Sequence, residues 1–385
     1  MPKLVRITTK PIALKVLLRG QMRFMKDNGF DVTMISDKGT EVESLIVQED
    51  CPHIAVKLTR KITPLSDLIS LIRLTRILKK IKPDIVHTHT PKAGLIGLWA
   101  AKFAGVSIRL HTIAGLPWME YKGLSRMILK FVEKLTSIAA HQIYPNSFVQ
   151  KDFLHQNKIA RKKMKVLGNG SSNGIDTVFF SVAPELELKA IEIKKNNRVP
   201  DDGHIWIFAG RVVKDKGVME MLDAFCQLHH IYPEDQLWII GNEEPDLDPL
   251  PDQYRNLLTK HNRIKSMGFQ EDVRPFLTAA DTLLFPSYRE GFPNVPLQAA
   301  CLNCTLLLSD INGCNEIVKN GEHGILFPAK NTTALYEAMK VIRSNPETAE
   351  KFKTSAKEKV IKFYDRKFIW NLLLDEYKKW IAINH

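Results

Sequence analysis

The sequence predicts an α/β protein built from two Rossmann-like, doubly wound parallel sheets. Three observations carry that expectation. Short apolar runs alternate with longer helix-periodic segments along nearly the whole chain, the rhythm of βαβ units in parallel sheets covered by helices on both faces. The rhythm breaks once, across residues 181–203, and then restarts. The length of 385 residues exceeds what a single hydrophobic core ordinarily organises.

The elements follow in order. Residues 3–8 read as a strand, 14–28 as a helix ended by Gly29, and 31–36 and 53–58 as strands. Residues 65–80 read as an amphipathic helix, with Leu68, Ile69, Ile72, Leu74 and Leu78 apolar and Lys and Arg opposite. Strands at 84–87, 107–111 and 142–145 alternate with helices at 94–104 and 125–139. Pro184, the charged stretch 185–198 and Pro200-Asp-Asp-Gly203 read as a connector or exposed helix. Beyond it, strands at 204–209, 236–240, 264–269, 282–286 and 305–309 alternate with helices at 218–229, 251–261, 273–280, 295–301 and 333–344. The chain closes on a helical region, 346–385, interrupted near Phe363-Tyr-Asp365. The expected domains are therefore 1–182 and 183–365, with a last helix at about 366–385 packing back on the first. Sheets of this kind bind ligands at the carboxyl ends of their strands, so a central cleft is expected between the domains.

Composition is ordinary for a soluble protein, 44% hydrophobic and 25% charged. No apolar run approaches the ~20 residues that span a bilayer. The basic, partly apolar start is broken by Lys10, Lys15 and Arg19 and lacks a cleavage site, so a cytoplasmic location is expected. Five scattered cysteines suit a reducing compartment. Cys301-Leu-Asn-Cys304, with Cys314 and His323 downstream, has zinc-ligand types. It runs from a helix straight into a strand without a second CxxC, and no metal site is expected. The net charge of +13 is uneven. Residues 1–170 hold 29 Lys and Arg against 12 Asp and Glu, a net +17, and the remainder is net −4. That asymmetry points to an anionic partner: nucleic acid, an anionic membrane surface or a phosphorylated substrate. The alternative is a solvated lysine-rich surface. No nucleic-acid-binding motif accompanies the charge, so no nucleic acid is expected.

Two segments carry chemistry. Arg289-Glu-Gly-Phe-Pro-Asn-Val-Pro-Leu-Gln298 follows a strand and opens a helix. Gly291 and Pro293 shape the turn, and backbone N–H groups from about Gly291 to Val295 stand free at the helix N-terminus, which attracts anions. Glu290 at its mouth is costly beside an anion unless it meets hydroxyls or a cation. A sugar ring supplies hydroxyls; the alternative is a loop carboxylate capping the helix. Phe208-Ala-Gly-Arg-Val-Val-Lys-Asp-Lys-Gly217 leaves the first strand of the same half. Arg211 and Lys216 there form a candidate diphosphate clamp. In the first half, His87 and His89 share one strand face, suited to a structural or substrate-contact role better than to a metal pair. His111 ends a strand before a glycine-containing loop, a functional position in an open α/β sheet, or packs as a core histidine.

GRVVKDKG (210–217), Met267-Gly-Phe269, PSYREGFPNVPLQAA (286–300) and NEIVKNG (315–321) stand in an order that resembles glycosyltransferase family 4, the retaining group with the GT-B fold. PDIVHTH (83–89), LHTIAG (110–115) and GNGSSNGID (168–176) are similar to that family's acceptor-domain strands and inter-domain loop. The similarity is to its capsular and exopolysaccharide branch. It implies that Arg211 and Lys216, with Gly210, bind the donor diphosphate and that Glu290 binds hydroxyls of the transferred sugar. Gly291, Phe292, Asn294 and Val295 would supply the loop, and Gly268 and Phe269 would lie by the nucleobase. Gln298 stands where the family usually has a second Glu for the ribose; it keeps an acceptor and adds donors. His111 would sit near the donor sugar, completing a catalytic set with Glu290, Arg211 and Lys216. Lys10, in a loop that departs from the broader family's glycine-rich turn, and His89 would contact acceptor or phosphate.

The implied reaction is retaining, metal-independent transfer of a hexosyl or N-acetylhexosaminyl group, without a cofactor. The donor is a nucleotide-diphosphate sugar, a UDP-sugar by preference. The acceptor is a saccharide or polyprenyl-diphosphate-linked glycan, and the process is cell-surface polysaccharide biosynthesis. The resemblance makes a membrane surface the natural partner of the basic half, including Lys15, Arg19, Arg60, Lys61, Lys79, Lys80 and Lys82, with Leu17, Leu18 or Trp118 as candidate docking residues. The alternatives are a sugar-nucleotide epimerase or phosphorylase of the same fold, needing paired cleft carboxylates or a cofactor lysine, and a basic nucleic-acid-binding protein.

Overall fold

The computed structural model describes residues 1–59, 63–119, 122–160, 163–244 and 248–384; Arg60 and Lys61, counted with the basic surface, lie outside them. The chain forms two compact units, Met1–Gly174 with Arg366–His385, and Ile175–Asp365. The first boundary falls at Gly174–Ile175 rather than after residue 182. The reason is local: the Ile175 N–H donates to the Tyr364 carbonyl at 2.8 Å, and the Thr177 hydroxyl donates to Asp365 at 2.6 Å. These bonds tie the segment to the second unit.

In the first unit β1 (Lys3–Ile7), β2 (Asp31–Ser36), β3 (His53–Ala55), β4 (Ile85–His89), β5 (Ile108–Ile113) and β6 (Gln142–Pro145) run parallel in the order β3-β2-β1-β4-β5-β6. Alternate residues face opposite sides. Val5, Ile7 and Val86 pack with Leu74, Leu78 and Ile96 on one side. Leu4, Ile85 and Leu110 pack with Met22, Met25, Leu373 and Tyr377 on the other, so the last helix, Arg366–Asn384, supplies part of this core.

The segment expected as one helix over 14–28 is two pieces, a π-helical turn Ala13–Leu17 and a helix Gln21–Asp27. They part at Gly20, φ +81°, where a Cβ would meet the Trp370 ring at 2.8 Å. The second piece starts on a buried carboxylate. Glu49 accepts from the N–H groups of Gly20, Met22 and Arg23 at 2.6, 3.2 and 3.2 Å, an N-terminal cap supplied from another element. Glu49 ends a helix, Val42–Glu49, that the periodicity did not mark. The helix Pro64–Ile81 buries Leu74 and Leu78 but leaves Leu68, Ile69 and Ile72 exposed. At about 100° per residue those two sets point to opposite sides. Leu18 and Trp118 are core residues, whereas Leu17 is exposed.

In the second unit β7 (Ile205–Ala209), β8 (Gln236–Ile240), β9 (Ile264–Gly268), β10 (Thr282–Phe285), β11 (Thr305–Ser309) and β12 (Ile325–Phe327) run parallel in the order β12-β11-β10-β7-β8-β9. Counted within its own unit, each sheet has the same strand order. The first and fourth strands are neighbours in both, so the loops leaving β1 and β4, and those leaving β7 and β10, open where the order reverses, the place such sheets hold ligands.

Candidate active site

In the second unit the loops leaving β7 and β10 meet across a glycine. Gly217 has φ +70°, and a Cβ there would lie 2.1 Å from the Pro286 carbonyl oxygen. Only a residue without a side chain lets the loops approach so closely. The approach brings Lys216, on the short turn Lys214–Lys216, to Glu290. Lys216 Nζ lies 2.5 Å from Glu290 Oε1, with both side chains largely buried. A second ion pair crosses the same seam, Arg289 to Asp215 at 3.0 Å, and the Tyr288 N–H donates to the Asp215 carbonyl at 2.9 Å. Arg211 sits on the same loop but turns to Glu244, 3.0 Å away and more exposed. The two cations therefore hold different carboxylates.

Asn312, in the turn after β11, grips the Glu290 loop from its other side. Its amide donates to the carbonyls of Glu290 at 2.9 Å and Gly291 at 2.6 Å. Gly313, φ +80°, lets this turn lie against the loop: a Cβ would be 2.9 Å from the Gly291 oxygen and 3.0 Å from Phe292 Cα. With those carbonyls tied down, the N–H groups of Gly291, Phe292, Asn294 and Val295 donate to nothing among the described residues. Pro293 interrupts the run, having no N–H. The Phe292 ring packs on Tyr364, centroids 5.4 Å apart, so that residue offers its backbone rather than its ring. Asn294 opens the helix Asn294–Cys301, and Gln298 lies one turn further on the same face, half-buried.

The remaining candidates flank this seam. Gly268 ends β9 with φ +64°. Phe269 is 68% exposed, while its N–H donates to the Asn242 side chain at 3.1 Å. Gly210 lies under Gly241, where a Cβ would be 1.8 Å from the Gly210 carbonyl oxygen, and the Gly241 N–H donates to the Gly268 carbonyl at 2.9 Å. Asn312, Asn242 and Gly241 were not singled out from the sequence. The usable signal was a glycine or Asn-Gly pair just past a strand. Cys301, Cys304 and Cys314 are buried, and burial pushes the thiols of Cys301 and Cys304 up to about 12. Among the described residues no three or more His, Cys, Asp or Glu side chains gather as a metal set.

The first unit treats its candidates differently. His111 is buried against the helix Pro91–Phe103, and a Cβ on Gly94 would lie 2.5 Å from its ring. Its Nδ1 is 2.7 Å from the Thr88 hydroxyl and 3.1 Å from the Thr88 carbonyl. Burial pushes its pKa down to about 4, so the ring is neutral at pH 7 and able to donate from Nδ1. His89 Nε2 lies 2.8 Å from Arg6 Nη2 and accepts from it. Burial first, then the Arg6 charge, hold His89 well below the ordinary histidine range. His87 spans Tyr377 and Thr112 at 2.6 and 2.8 Å and stacks on His89, centroids 4.4 Å apart. Both histidines are thus bonded within the unit. Lys10 pairs with Asp37 at 2.6 Å.

Arg6, missed in the sequence, is fully buried. Nη1 donates to the Tyr377 hydroxyl at 2.8 Å and Nη2 to Gln21 and His89. All three partners are neutral, and burial pulls the guanidinium pKa down. Thr9 and Thr90 join the β1 and β4 loops through their hydroxyls, 2.7 Å apart. Thr90 adopts φ +80°, an uncommon conformation for a β-branched residue.

Comparison with known proteins adds to this geometry. Residues 189–359 match the family model described as glycosyl transferases group 1, and residues 13–147 match glycosyl transferase 4-like. The chain is 28% identical over 366 residues to the capsular polysaccharide biosynthesis glycosyltransferase CapM of Staphylococcus aureus, covering 95% of this chain and 94% of that protein. It is 25% identical over 348 residues to the Escherichia coli UDP-Gal:alpha-D-GlcNAc-diphosphoundecaprenol alpha-1,3-galactosyltransferase, covering 87% of each. In fold it is similar to Anabaena HepE in complex with UDP, with a TM-score of 0.83 at 17% identity, covering 98% of this chain and all of that one.

Proposed function

From the premise that this chain belongs to the group 1 glycosyltransferases and is a hexosyltransferase enzyme, we propose that it moves a hexosyl or N-acetylhexosaminyl group from a UDP-sugar to a lipid-linked saccharide acceptor in cell-surface polysaccharide biosynthesis. The capsular and diphosphoundecaprenol relatives support the acceptor class. The observation that carries the donor site is the Lys216–Glu290 pair beside a row of unused N–H groups where the strand order reverses. Diphosphate oxygens take Lys216, Arg211 and the N–H groups of the Gly291–Val295 loop. Glu290, released from Lys216, accepts from sugar hydroxyls. Gln298 meets the ribose, and Gly268 with the exposed Phe269 borders the base. His111 donates or accepts at the donor sugar as a neutral ring, and the first unit takes the acceptor. Its basic surface meets the anionic membrane that carries the acceptor, and Lys10 and His89 contact acceptor or phosphate.

Transfer breaks the bond from the anomeric carbon to the β-phosphate oxygen and forms a bond from that carbon to the acceptor oxygen on the same face. The acceptor proton passes to the departing phosphate. Charge grows on the leaving diphosphate, and fixed cations and N–H dipoles aimed at it lower the barrier. No metal enters this reading because Arg211 and Lys216 supply that positive charge. Among the described residues no helix is long and apolar enough to cross a membrane.

A thermal-shift and transfer screen against UDP-, GDP- and ADP-sugars tests the donor. UDP-sugars are expected to stabilise the protein and EDTA to leave transfer unchanged. Stabilisation by GDP- or ADP-sugars alone overturns the base assignment. Loss in EDTA restored by magnesium moves the leaving-group role to a metal, with Asp246-Leu-Asp248 the first carboxylates to substitute.

A further inference from the structure

The segment that breaks the strand-helix rhythm of the sequence folds as a helix, Pro184–Asn196, whose charges stand in a self-complementary order. It packs on the helix Arg274–Ala279 and turns Leu186, Ala190 and Ile193 to the core of the second unit. Leu188 and Ile191 face away from that core, 69% and 62% exposed. At about 100° per residue, Pro184 and Lys195 prolong their stripe. Glu187 and Lys194 line one flank of it; Glu185, Lys189 and Glu192 line the other. None of these charged groups closes an ion pair with another described residue.

The surroundings leave the stripe standing as a ridge. A cavity of about 400 Å³ runs along the Glu187 flank, bounded beyond the helix by Val182, Asp281, Leu302 and Lys353. A smaller one of about 150 Å³ runs along the Lys189 flank, bounded by Val178, Phe179 and Arg274. Val178 there is 77% exposed and extends the apolar surface. Asp281 precedes β10, and Leu302 follows the helix that opens in the Glu290 loop. The ridge therefore lies toward the amino ends of the strands, away from the donor loops.

The charges decide the occupant. The glutamates and lysines balance, which suits neither a polyanion nor a polycation. The helix dipole accounts for Glu185 and Glu187 at one end and for Lys194 and Lys195 at the other. It does not account for Lys189 preceding Glu192. An antiparallel second copy accounts for both orders. With a two-fold axis crossing the helix near residue 190, each flank meets the same flank of the other copy. Leu188 then meets the partner's Ile191, Glu187 meets the partner's Lys194, and Lys189 meets the partner's Glu192. A parallel pair sets each charge against its own sign.

We propose that the chain forms a closed two-fold dimer through Pro184–Asn196, paired antiparallel with the same helix of a second copy. The contact lies outside the donor site and stands independently of the UDP reading. Both donor sites stay open because the paired helices lie at the other end of the second sheet.

Sedimentation equilibrium of the full chain over a concentration series tests this. One helix pair is a small interface, so a dissociation constant on the order of 10 µM is expected. Glu187→Lys and Lys194→Glu are each expected to weaken the dimer at least about tenfold, because symmetry applies each change twice. Mixing these two variants sets lysine against glutamate at both crossings, so the mixture is expected to form a heterodimer near the original affinity. Leu188→Glu is expected to leave a monomer. All three positions are at the surface, and thermal melting and UDP titration are expected to stay unchanged. A chain that remains monomeric about tenfold above the expected constant overturns the proposal. So does a dimer indifferent to these substitutions, which then uses another surface, or a mixture of the two charge variants that stays monomeric. Assemblies that keep growing beyond two copies overturn the closed two-fold contact. Lost dimerisation with intact UDP binding in the variants upholds the proposal; loss of UDP binding and melting together in all of them overturns it, because the helix then serves the fold alone.

Discussion

The two sheets share one strand order, yet their reversal points are furnished in opposite ways. In the second unit polar groups gather in the loops, where Lys216–Glu290 and Arg289–Asp215 cross between the β7 and β10 loops and four N–H groups donate to nothing among the described residues. In the first unit the corresponding polar atoms are drawn into the core. Arg6 bonds to Tyr377, Gln21 and His89, and His87 bonds to Tyr377 and Thr112. The glycines divide likewise. Gly217, Gly241 and Gly313 fit loop to loop, whereas Gly94 and Gly97 lower a helix onto His111 and Thr88. A common topology thus offers two places for a ligand, and the side chains decide which one carries charge recognition. Loop charges paired with one another can be re-paired by an incoming diphosphate. A guanidinium whose two terminal nitrogens are bonded to buried neighbours cannot.

The largest expected effect comes from removing the carboxylate of the charged seam. Glu290→Ala should cut transfer by about 10³-fold, ~4 kcal/mol of barrier, while the affinity for UDP changes little because Lys216 is freed. Near-normal turnover in this variant would erase the contrast between the two reversal points. Next comes the glycine contrast. Gly217→Ala places a Cβ 2.1 Å from a carbonyl oxygen at φ +70°, so roughly 2–4 kcal/mol of stability and most UDP binding should be lost together. Gly94→Ala meets a ring 2.5 Å away in the other unit and should lower stability while leaving UDP affinity intact. Equal loss of UDP binding in both variants, read by calorimetric titration with melting as control, would break the division of labour drawn here.

Much of this was legible in the sequence because strand alternation, strand ends and helix openings are local. Arg211, Lys216 and Glu290 were found by lying just past strands, and the carboxyl-end rule for open sheets does not need coordinates. What stayed hidden depends on distant partners. Asp37 holds Lys10 across 27 residues and Tyr377 holds Arg6 across 371; no spacing rule announces either. Gly20 splits a helix because Trp370 lies against it. Periodicity also shows that a helix has an apolar stripe without showing which side faces in. For Pro64–Ile81 and Gly123–Ala139 the ordinary assumption points Leu68, Ile69, Met127 and Phe131 inward, and the structure turns them out.

The helix Gly123–Ala139 yields the smallest expected effect, and its sign is opposite to that of an ordinary surface carboxylate. Glu133 is buried and its Oε1 has no hydrogen-bond partner among the described residues. Burial pushes its pKa up from 4.5 to about 7. Between those values the folded state holds a proton that the unfolded state has released, so stability falls as pH rises from 4.5 to 7 and levels off above. The gap is worth at most about 3 kcal/mol. Glu133→Gln removes the titration but buries an amide with unmet bonds, so the net gain at pH 8 should be roughly 1–2 kcal/mol, vanishing near pH 4.5. Denaturant unfolding of both proteins at the two pH values checks this. Gln destabilising at pH 8 would mean that the carboxylate is ionised and paired there, and that the inner face of this helix is polar because charge is used, as in the second unit.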